Sequence, residues 1–201
     1  GTNPIAFAAP TNKEAPFIFD AATTAIAAGK ISLARRMGLS MEPGWIANED
    51  GIPNMESTSI TDGPKSKTST GMKMQLPLGS TRELGSHKGY SLGVMVDILC
   101  GQLSFAPGFA SLDQNRRAHF VAAYDISVFG NVNEFKNNMD GMLKGLRETK
   151  PMPGKDRVLY AGLPEMETLK ERTEKGVPLH PEVIDWFKNI CNELQIKYEL
   201  S

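Results

Sequence analysis

Apolar residues come first in two short runs. Ile5-Ala6-Phe7-Ala8-Ala9 ends at Pro10, and Phe17-Ile18-Phe19 ends at Asp20, with the polar break Thr11-Asn12-Lys13 between them. Short apolar runs bounded by turn residues predict two strands joined by a tight connection. Over residues 23–37 small residues and good helix formers predict a helix, with Ile26, Ile31, Leu33 and Ala34 sharing a face and Gly38 stopping it. Over 39–73 the period dissolves into Gly, Pro, Ser, Thr and Asn, including Asp62-Gly63-Pro64. This predicts a long surface excursion holding one short strand in Gly44-Trp45-Ile46-Ala47.

Order returns with a predicted strand over 72–78, a loop over 79–86 that leads on through His87-Lys88-Gly89, and a buried helix over 90–103 carrying Leu92, Val96 and Leu99. Residues 119–129 are rich in β-formers and predict a strand, and 157–161 predict another. Between and after them the helical period predicts helices over 133–147, 165–175 and 181–198. The resulting fold class is mixed α/β, a mixed sheet with flanking helices. Trp186, Phe187 and Ile190 on the last helix form an apolar face that calls for a surface outside the chain to cover it. The first residues run from Gly1 straight into a strand with no polar leader, which predicts a start in the middle of a fold.

Composition narrows the function classes. With 22 Lys+Arg against 23 Asp+Glu over 201 residues, neither a basic nucleic-acid footprint nor an acidic tail is indicated. No run approaches a membrane span and no secretory signal is visible, so a cytoplasmic protein with neither nucleic-acid nor membrane partner is expected. Cys100 and Cys191 stand apart from each other and from any His, and read as buried free thiols. Metal-site, serine-hydrolase, Walker and GxGxxG motifs are lacking, so the expectation is chemistry without metal and a nucleotide held by other means.

Three junctions carry the candidate chemistry: Asp20-Ala21-Ala22-Thr23, His87-Lys88-Gly89-Tyr90 and Gly162-Leu163-Pro164-Glu165. Each puts small residues near a predicted helix start, where free N–H groups favour an anion such as a diphosphate; ordinary strand-to-helix turns look the same. His87 beside Lys88 suits a neutral-pH imidazole next to a phosphate- or carboxylate-binding ammonium, and equally a solvated surface pair. Asp20, directly after an apolar strand, fits a ribose-hydroxyl acceptor and equally a helix cap. His119 reads as a polar strand-edge residue and His180 as a solvated side chain at the start of the last helix.

Taken in order, Gly1-Thr2-Asn3-Pro4-Ile5-Ala6, Phe19-Asp20-Ala21-Ala22-Thr23, Gly29-Lys30, Leu76-Pro77-Leu78-Gly79 and His87-Lys88-Gly89-Tyr90-Ser91-Leu92 resemble the signatures of the malate/L-lactate dehydrogenase family that lacks a Rossmann fold. The resemblance covers essentially the whole chain and matches the family's latter part. It implies a non-Rossmann cofactor-binding domain over 1–160, and a helical segment over 161–201 that packs on an N-terminal region or a partner subunit. It implies an NAD- or NADP-dependent oxidoreductase acting between a small 2-hydroxy acid and its 2-keto acid, in a homodimer. By resemblance the cofactor-lining residues are Asp20, Ala21, Ala22, Thr23, Ala25, Lys88, Gly162, Leu163 and Pro164, with the neighbouring His87. Where the family more often has Gly-Glu-Pro-Glu this chain has Leu163, which offers no polar side chain. The family's proton-donating His and substrate-binding Arg precede the GTNP-like sequence, so no catalytic residue is assigned and the chain is expected to be a part of the enzyme. The alternative on the same scaffold is a non-catalytic nucleotide-binding or interaction module.

Overall fold

The computed structural model describes residues 2–48, 50–59, 74–106 and 118–200. The two opening apolar runs form strands β1 (Ile5–Ala9) and β2 (Phe17–Ala21), paired antiparallel with Phe7 opposite Phe19 and Ala6 opposite Asp20. Directly opposed residues share a sheet face, so the Phe7 and Phe17 rings meet at 6.4 Å on one side while Asp20 lies on the other.

Helix α1 (Ala28–Arg36) ends through two backbone bonds, Leu39 N–H to the Ala34 carbonyl at 2.8 Å and Gly38 N–H to that of Arg35 at 3.2 Å. This closure needs a left-handed residue, and Gly38 takes φ +65°. The predicted excursion then supplies three two-residue strands, β3 (Ser40–Met41), β4 (Ile46–Ala47) and β5 (Thr58–Ser59). With β6 (Met74–Gln75) they form two further antiparallel pairs, β3 with β5 and β4 with β6. Ile26, Ala34, Met41, Ile46, Ala47 and Leu76 are the buried side chains of this region.

Helix α2 (Ser86–Asp97) runs on into a π-helical turn, Ile98–Gln102. Helix α3 (Val132–Glu148) is capped by the Asn131 side chain, which accepts the Asn133 and Glu134 N–H groups, and it buries Leu143 completely. Helices α4 (Leu163–Lys175) and α5 (Pro181–Glu193) both carry Pro in the first turn. His180 is half-buried and caps α5, its Nδ1 accepting the Glu182 N–H at 3.2 Å, a more specific role than a solvated side chain. None of the α5 residues is buried, and Trp186 is 57% exposed. No helix among the described residues is long and apolar enough to cross a membrane.

The mixed α/β class stands, and several element boundaries are corrected. The first helix starts at Ala28, not at 23, because Thr23 and Ala25 spend their backbone groups on other segments. The second starts at Ser86, which moves His87 and Lys88 from a loop into the first helical turn. The stretch predicted as a strand over 119–129 forms no ladder among the described residues and ends in a 3₁₀ turn, Ile126–Val128; 157–161 likewise forms none. The last helix stops at Glu193 and not 198. Both cysteines are free and half-buried, not fully buried. Asp62-Gly63-Pro64 lies outside the described residues.

The β1–β2 connection is held by α3. The Asp140 carboxylate accepts the backbone N–H groups of Asn12, Lys13 and Glu14 at 3.0–3.2 Å, and Arg147 forks onto Glu14, with Nη2 to Oε1 at 2.8 Å. Desolvation pushes the Asp140 carboxyl up, but the Glu14, Lys13 and Asn12 N–H groups outweigh it and hold it below its ordinary value. Arg147, by hydrogen bonding, lowers that of Glu14 as well. Carboxyls depressed in the folded state stabilise it above their unfolded pKa, and that stabilisation is lost as pH falls through the folded value. The Tm deficit of Asp140→Asn relative to the parent chain should therefore be present near pH 7 and shrink as pH falls below about 4. Thermal melts across that range check this, and a deficit constant into strong acid contradicts it.

Candidate functional site

Thr23 is a buried polar side chain at the point where three segments meet. Its N–H donates to the Thr2 carbonyl at 3.0 Å, and its hydroxyl lies 3.1 Å from the carbonyl oxygens of both Thr2 and Asn3. Its own carbonyl accepts the Leu78 N–H at 2.9 Å, and two residues on the Ala25 N–H reaches the Leu76 carbonyl at 2.8 Å. The segment after β2 is thus stitched between the start of β1 and the stretch after β6. A buried threonine with both backbone groups and its hydroxyl committed in this way holds structure.

Helix α2 docks on that junction through glycines. A Cβ on Gly89 would lie 2.2 Å from the Leu78 carbonyl oxygen, and one on Gly93 would lie 3.2 Å from the Thr23 hydroxyl. Residues four apart share a helix face, so Gly89 and Gly93 together form the flat side on which the helix approaches the Leu78 backbone and the Thr23 side chain. Asn3 completes the joint, its Nδ2 donating to the Gly93 carbonyl at 2.8 Å from a backbone at φ +41°. Asparagine tolerates that left-handed conformation better than most residues.

The third junction meets the first. Gly162 is buried at φ +92°, and its Cβ position is 3.1 Å from both the N and the O of Ile18, two residues before Asp20. Arg157 steadies this turn from behind, forking onto Glu167 of α4 with two contacts of 2.6 Å. The Asp20 and Gly162 segments are therefore neighbours through Ile18, and the Thr23 and α2 segments through Gly93.

Within that frame the predicted residues divide. Asp20 is exposed and lies inside β2, and its carboxylate has no hydrogen-bond partner among the described residues. Its reading as a helix cap fails, since α1 begins only at Ala28. His87 and Lys88 are exposed, and their side chains are likewise unpartnered among the described residues. Ala21, Ala22 and Ala25 are half-buried, as are Leu163 and Pro164. The helix starts are less open than their sequences suggest. In α2 the Ser86 and Lys88 N–H groups go to Thr81 and Gly85 carbonyls; in α4 Leu163 donates to Tyr160, and Pro164 has no N–H. Neither helix has a side-chain cap.

A cavity of about 200 Å³ opens beside Thr23, Asn3, Thr24 and Tyr90, with Asp97 also on its wall. Neither Asn3 nor Asp97 is among the predicted site residues; Asn3 stands in the Gly1-Thr2-Asn3-Pro4 signature, and no sequence signal marks Asp97. A larger hollow of about 480 Å³ lies between Pro53, Arg82 and Ser86 and contains none of the predicted residues.

The family model described as Malate/L-lactate dehydrogenase matches residues 1–188. The chain belongs to this family. It is 33% identical over 203 residues to a malate dehydrogenase of Pyrococcus abyssi, covering 98% of this chain and 53% of that protein. It is 41% identical to Delta(1)-pyrroline-2-carboxylate reductase 1 of Burkholderia ambifaria over 103 residues, 51% of this chain and 26% of that one. Among solved structures, malate dehydrogenase from Entamoeba histolytica superposes with a TM-score of 0.86 at 30% identity, over 100% of this chain and 56% of that chain. The chain spans about half the length of the curated malate dehydrogenases it matches.

The glycine joint separates two kinds of family signature. Gly29 has open space around its Cβ position, whereas Gly89 has none. Gly89→Ala should destabilise by about 1–3 kcal/mol through overpacking. Gly29→Ala should be neutral or stabilising by up to about 1 kcal/mol, since alanine is the better helix former. Urea unfolding of the two variants checks the contrast, and equal stability would remove the Gly89–Leu78 contact from the account.

Proposed function

We propose that this chain supplies the dinucleotide-holding part of a nicotinamide-dependent oxidoreductase that interconverts a small 2-hydroxy acid of the malate or lactate type with its 2-keto acid. The family match over residues 1–188 carries this reading. The donor set also fits a dinucleotide. Lys88 offers an uncommitted ammonium for a phosphate or carboxylate, and Asp20 an uncommitted carboxylate for a ribose hydroxyl. Ala21, Ala22 and Ala25 leave room for close approach, and the Gly162-Leu163-Pro164 turn, lying against Ile18, contributes backbone and apolar surface. His87 stands beside Lys88 as a further polar contact, and Thr23 supports the site from below.

When bound, a nicotinamide supplies the hydride. The chain's own residues orient it: Lys88 neutralises an anionic group, and the α2 docking face fixes where that ammonium stands. Residues 1–160 act as the cofactor-binding domain, and 161–201 as the helical segment that packs on further polypeptide. NAD and NADP are both admitted, and the protein is taken to work in the cytoplasm as a homodimer.

A second substrate class has support of its own. The 41% identity over 103 residues to a pyrroline-carboxylate reductase favours a cyclic 2-imino acid, whose C=N bond beside a carboxylate accepts hydride as a keto group does. The discriminating test is a panel of malate, lactate, sulfolactate and Δ1-pyrroline-2-carboxylate with each dinucleotide, followed by the absorbance of the reduced nicotinamide.

Dinucleotide binding tests the residues. Lys88→Ala should raise the dissociation constant by about tenfold to a hundredfold, the equivalent of about 1.5–3 kcal/mol for a charge-assisted contact. Asp20→Asn should weaken binding while leaving the Tm close to that of the parent, because the carboxylate has no internal partner to lose. Fluorescence titration of the reduced dinucleotide reads both, and unchanged affinity in both variants sinks the assignment.

A further inference from the structure

The two faces of the β1–β2 pair are unlike. Phe7, Phe17 and Phe19 stand on one; the other carries Asp20 and Ile18, directly opposed by Ala6 and Ala8. Two alanines opposite a carboxylate and an isoleucine make a low shelf, and all four residues are exposed. The Gly162 turn adjoins it. At φ +92° Gly162 lies so close to the Ile18 backbone that a Cβ would stand 3.1 Å from both its N and its O, and half-buried Leu163 follows directly. A flat apolar surface that ends in a carboxylate matches a nucleoside: the base lies on the small and branched side chains, and the carboxylate accepts from ribose hydroxyls.

Charge decides which ribose such a carboxylate admits. A free 2′-hydroxyl donates to it, whereas a 2′-phosphate meets like charge and calls for a cation instead. The cation and the helix start at this turn are already engaged. Arg157 is forked onto Glu167 with two contacts of 2.6 Å. Pro164 has no N–H, and Leu163 donates its own to the Tyr160 carbonyl. The next charged side chain along the turn, Glu165, is exposed and negative. The shelf therefore presents acceptors and apolar surface, the opposite of a phosphate seat.

We infer that Asp20, on the shelf it forms with Ile18, Ala6, Ala8 and the Gly162-Leu163 turn, receives the adenosine ribose and selects NAD over NADP. Adenine asks only for a surface to lie on, which the shelf supplies. A nicotinamide must be held to a small tolerance, which suits the glycine-packed joint at Thr23 and Gly93. The inference rests on the dinucleotide reading and goes beyond it, since that reading admits both cofactors and this one makes Asp20 the specificity-determining residue.

The test titrates the protein expressed from its complete coding sequence with NADH and with NADPH, followed by nicotinamide fluorescence, so no turnover is needed. The dissociation constant for NADH should lie about tenfold to a hundredfold below that for NADPH. That ratio should shrink as potassium chloride is added, because salt screens the repulsion between exposed charges. Asp20→Asn and Asp20→Ser should each weaken NADH, tighten NADPH and bring the ratio towards one, with little salt dependence left. Lys88→Ala should weaken both dinucleotides and keep the ratio. Equal affinities in the parent protein, or a preference for NADPH, overturn the inference and leave the dinucleotide reading standing. A preference for NADH that survives in both Asp20 variants overturns it as well. Binding of neither dinucleotide overturns the dinucleotide reading and the inference with it.

Discussion

The approach of α2 to the Leu78 backbone and the Thr23 side chain is the constraint on which the rest of the arrangement depends. At Gly89 the helix comes so close to Leu78 that a methyl group would stand 2.2 Å from a carbonyl oxygen, and at Gly93 it leaves room only for the Thr23 side chain. Close packing converts that intimacy into precision. A helix held by side chains has rotamers to adjust, whereas one resting on backbone has none. Thr23 then transmits the position to the start of β1 through Thr2 and Asn3, and to the stretch after β6 through Leu78. Lys88, in the first turn of the same helix, is placed by this joint and not by contacts of its own.

A second joint acts independently at the far end of the β1–β2 pair. There Asp140 and Arg147 grip a loop whose N–H groups point together, so α3 is fixed by charge-assisted bonds where α2 is fixed by shape. Exposed ion pairs of this kind contribute modestly, and three N–H groups converging on one carboxylate add geometry more than energy. Between the two joints lies β2, carrying Asp20 on one face and meeting Gly162 at Ile18. The three segments that look unrelated in sequence are thereby made neighbours of one strand and one helix.

How much of this was legible follows from which interactions are local. The strands over 5–9 and 17–19 and the helices over 133–147 and 165–175 were readable because their periodicity and turn residues lie within a few positions of each other. The sequence pattern starts the first helix before Ala28 because Thr23 and Ala25 are small, helix-compatible residues whose hydrogen bonds go to Thr2 and Leu76, partners no local pattern announces. Glycine at 85 and 89 reads as punctuation and so predicts a loop at His87 and Lys88, although Gly89 serves close packing inside the helix. The segment over 119–129 is the instructive miss. Its sequence encodes a strand, but a strand exists only in a ladder, and the described residues provide none. Among the candidate site residues, Asp20 and Lys88 are visible as charges in apolar or glycine-rich settings. Thr23 is a candidate by resemblance, and its structural duty is hidden because its partners Thr2, Asn3 and Leu78 lie far from it in sequence.

The exposed apolar side chains and the exposed charges belong to the same physical problem. An ammonium in free water gains only about 1 kcal/mol from an opposite charge 4 Å away, against about 4 kcal/mol where the effective dielectric constant is near that of a partly covered protein surface. Lys88 and Asp20 are both exposed, so what each can contribute depends on how much water is later excluded around it. Any ligand or surface that excludes water from the two charges lowers their dielectric surroundings and strengthens what each contributes. Lys88 is positioned through the backbone contact of its helix at Gly89 and Asp20 through strand pairing, so an anion at the one or a donor at the other would meet a charge already in place, and its gain would depend on the water it displaces.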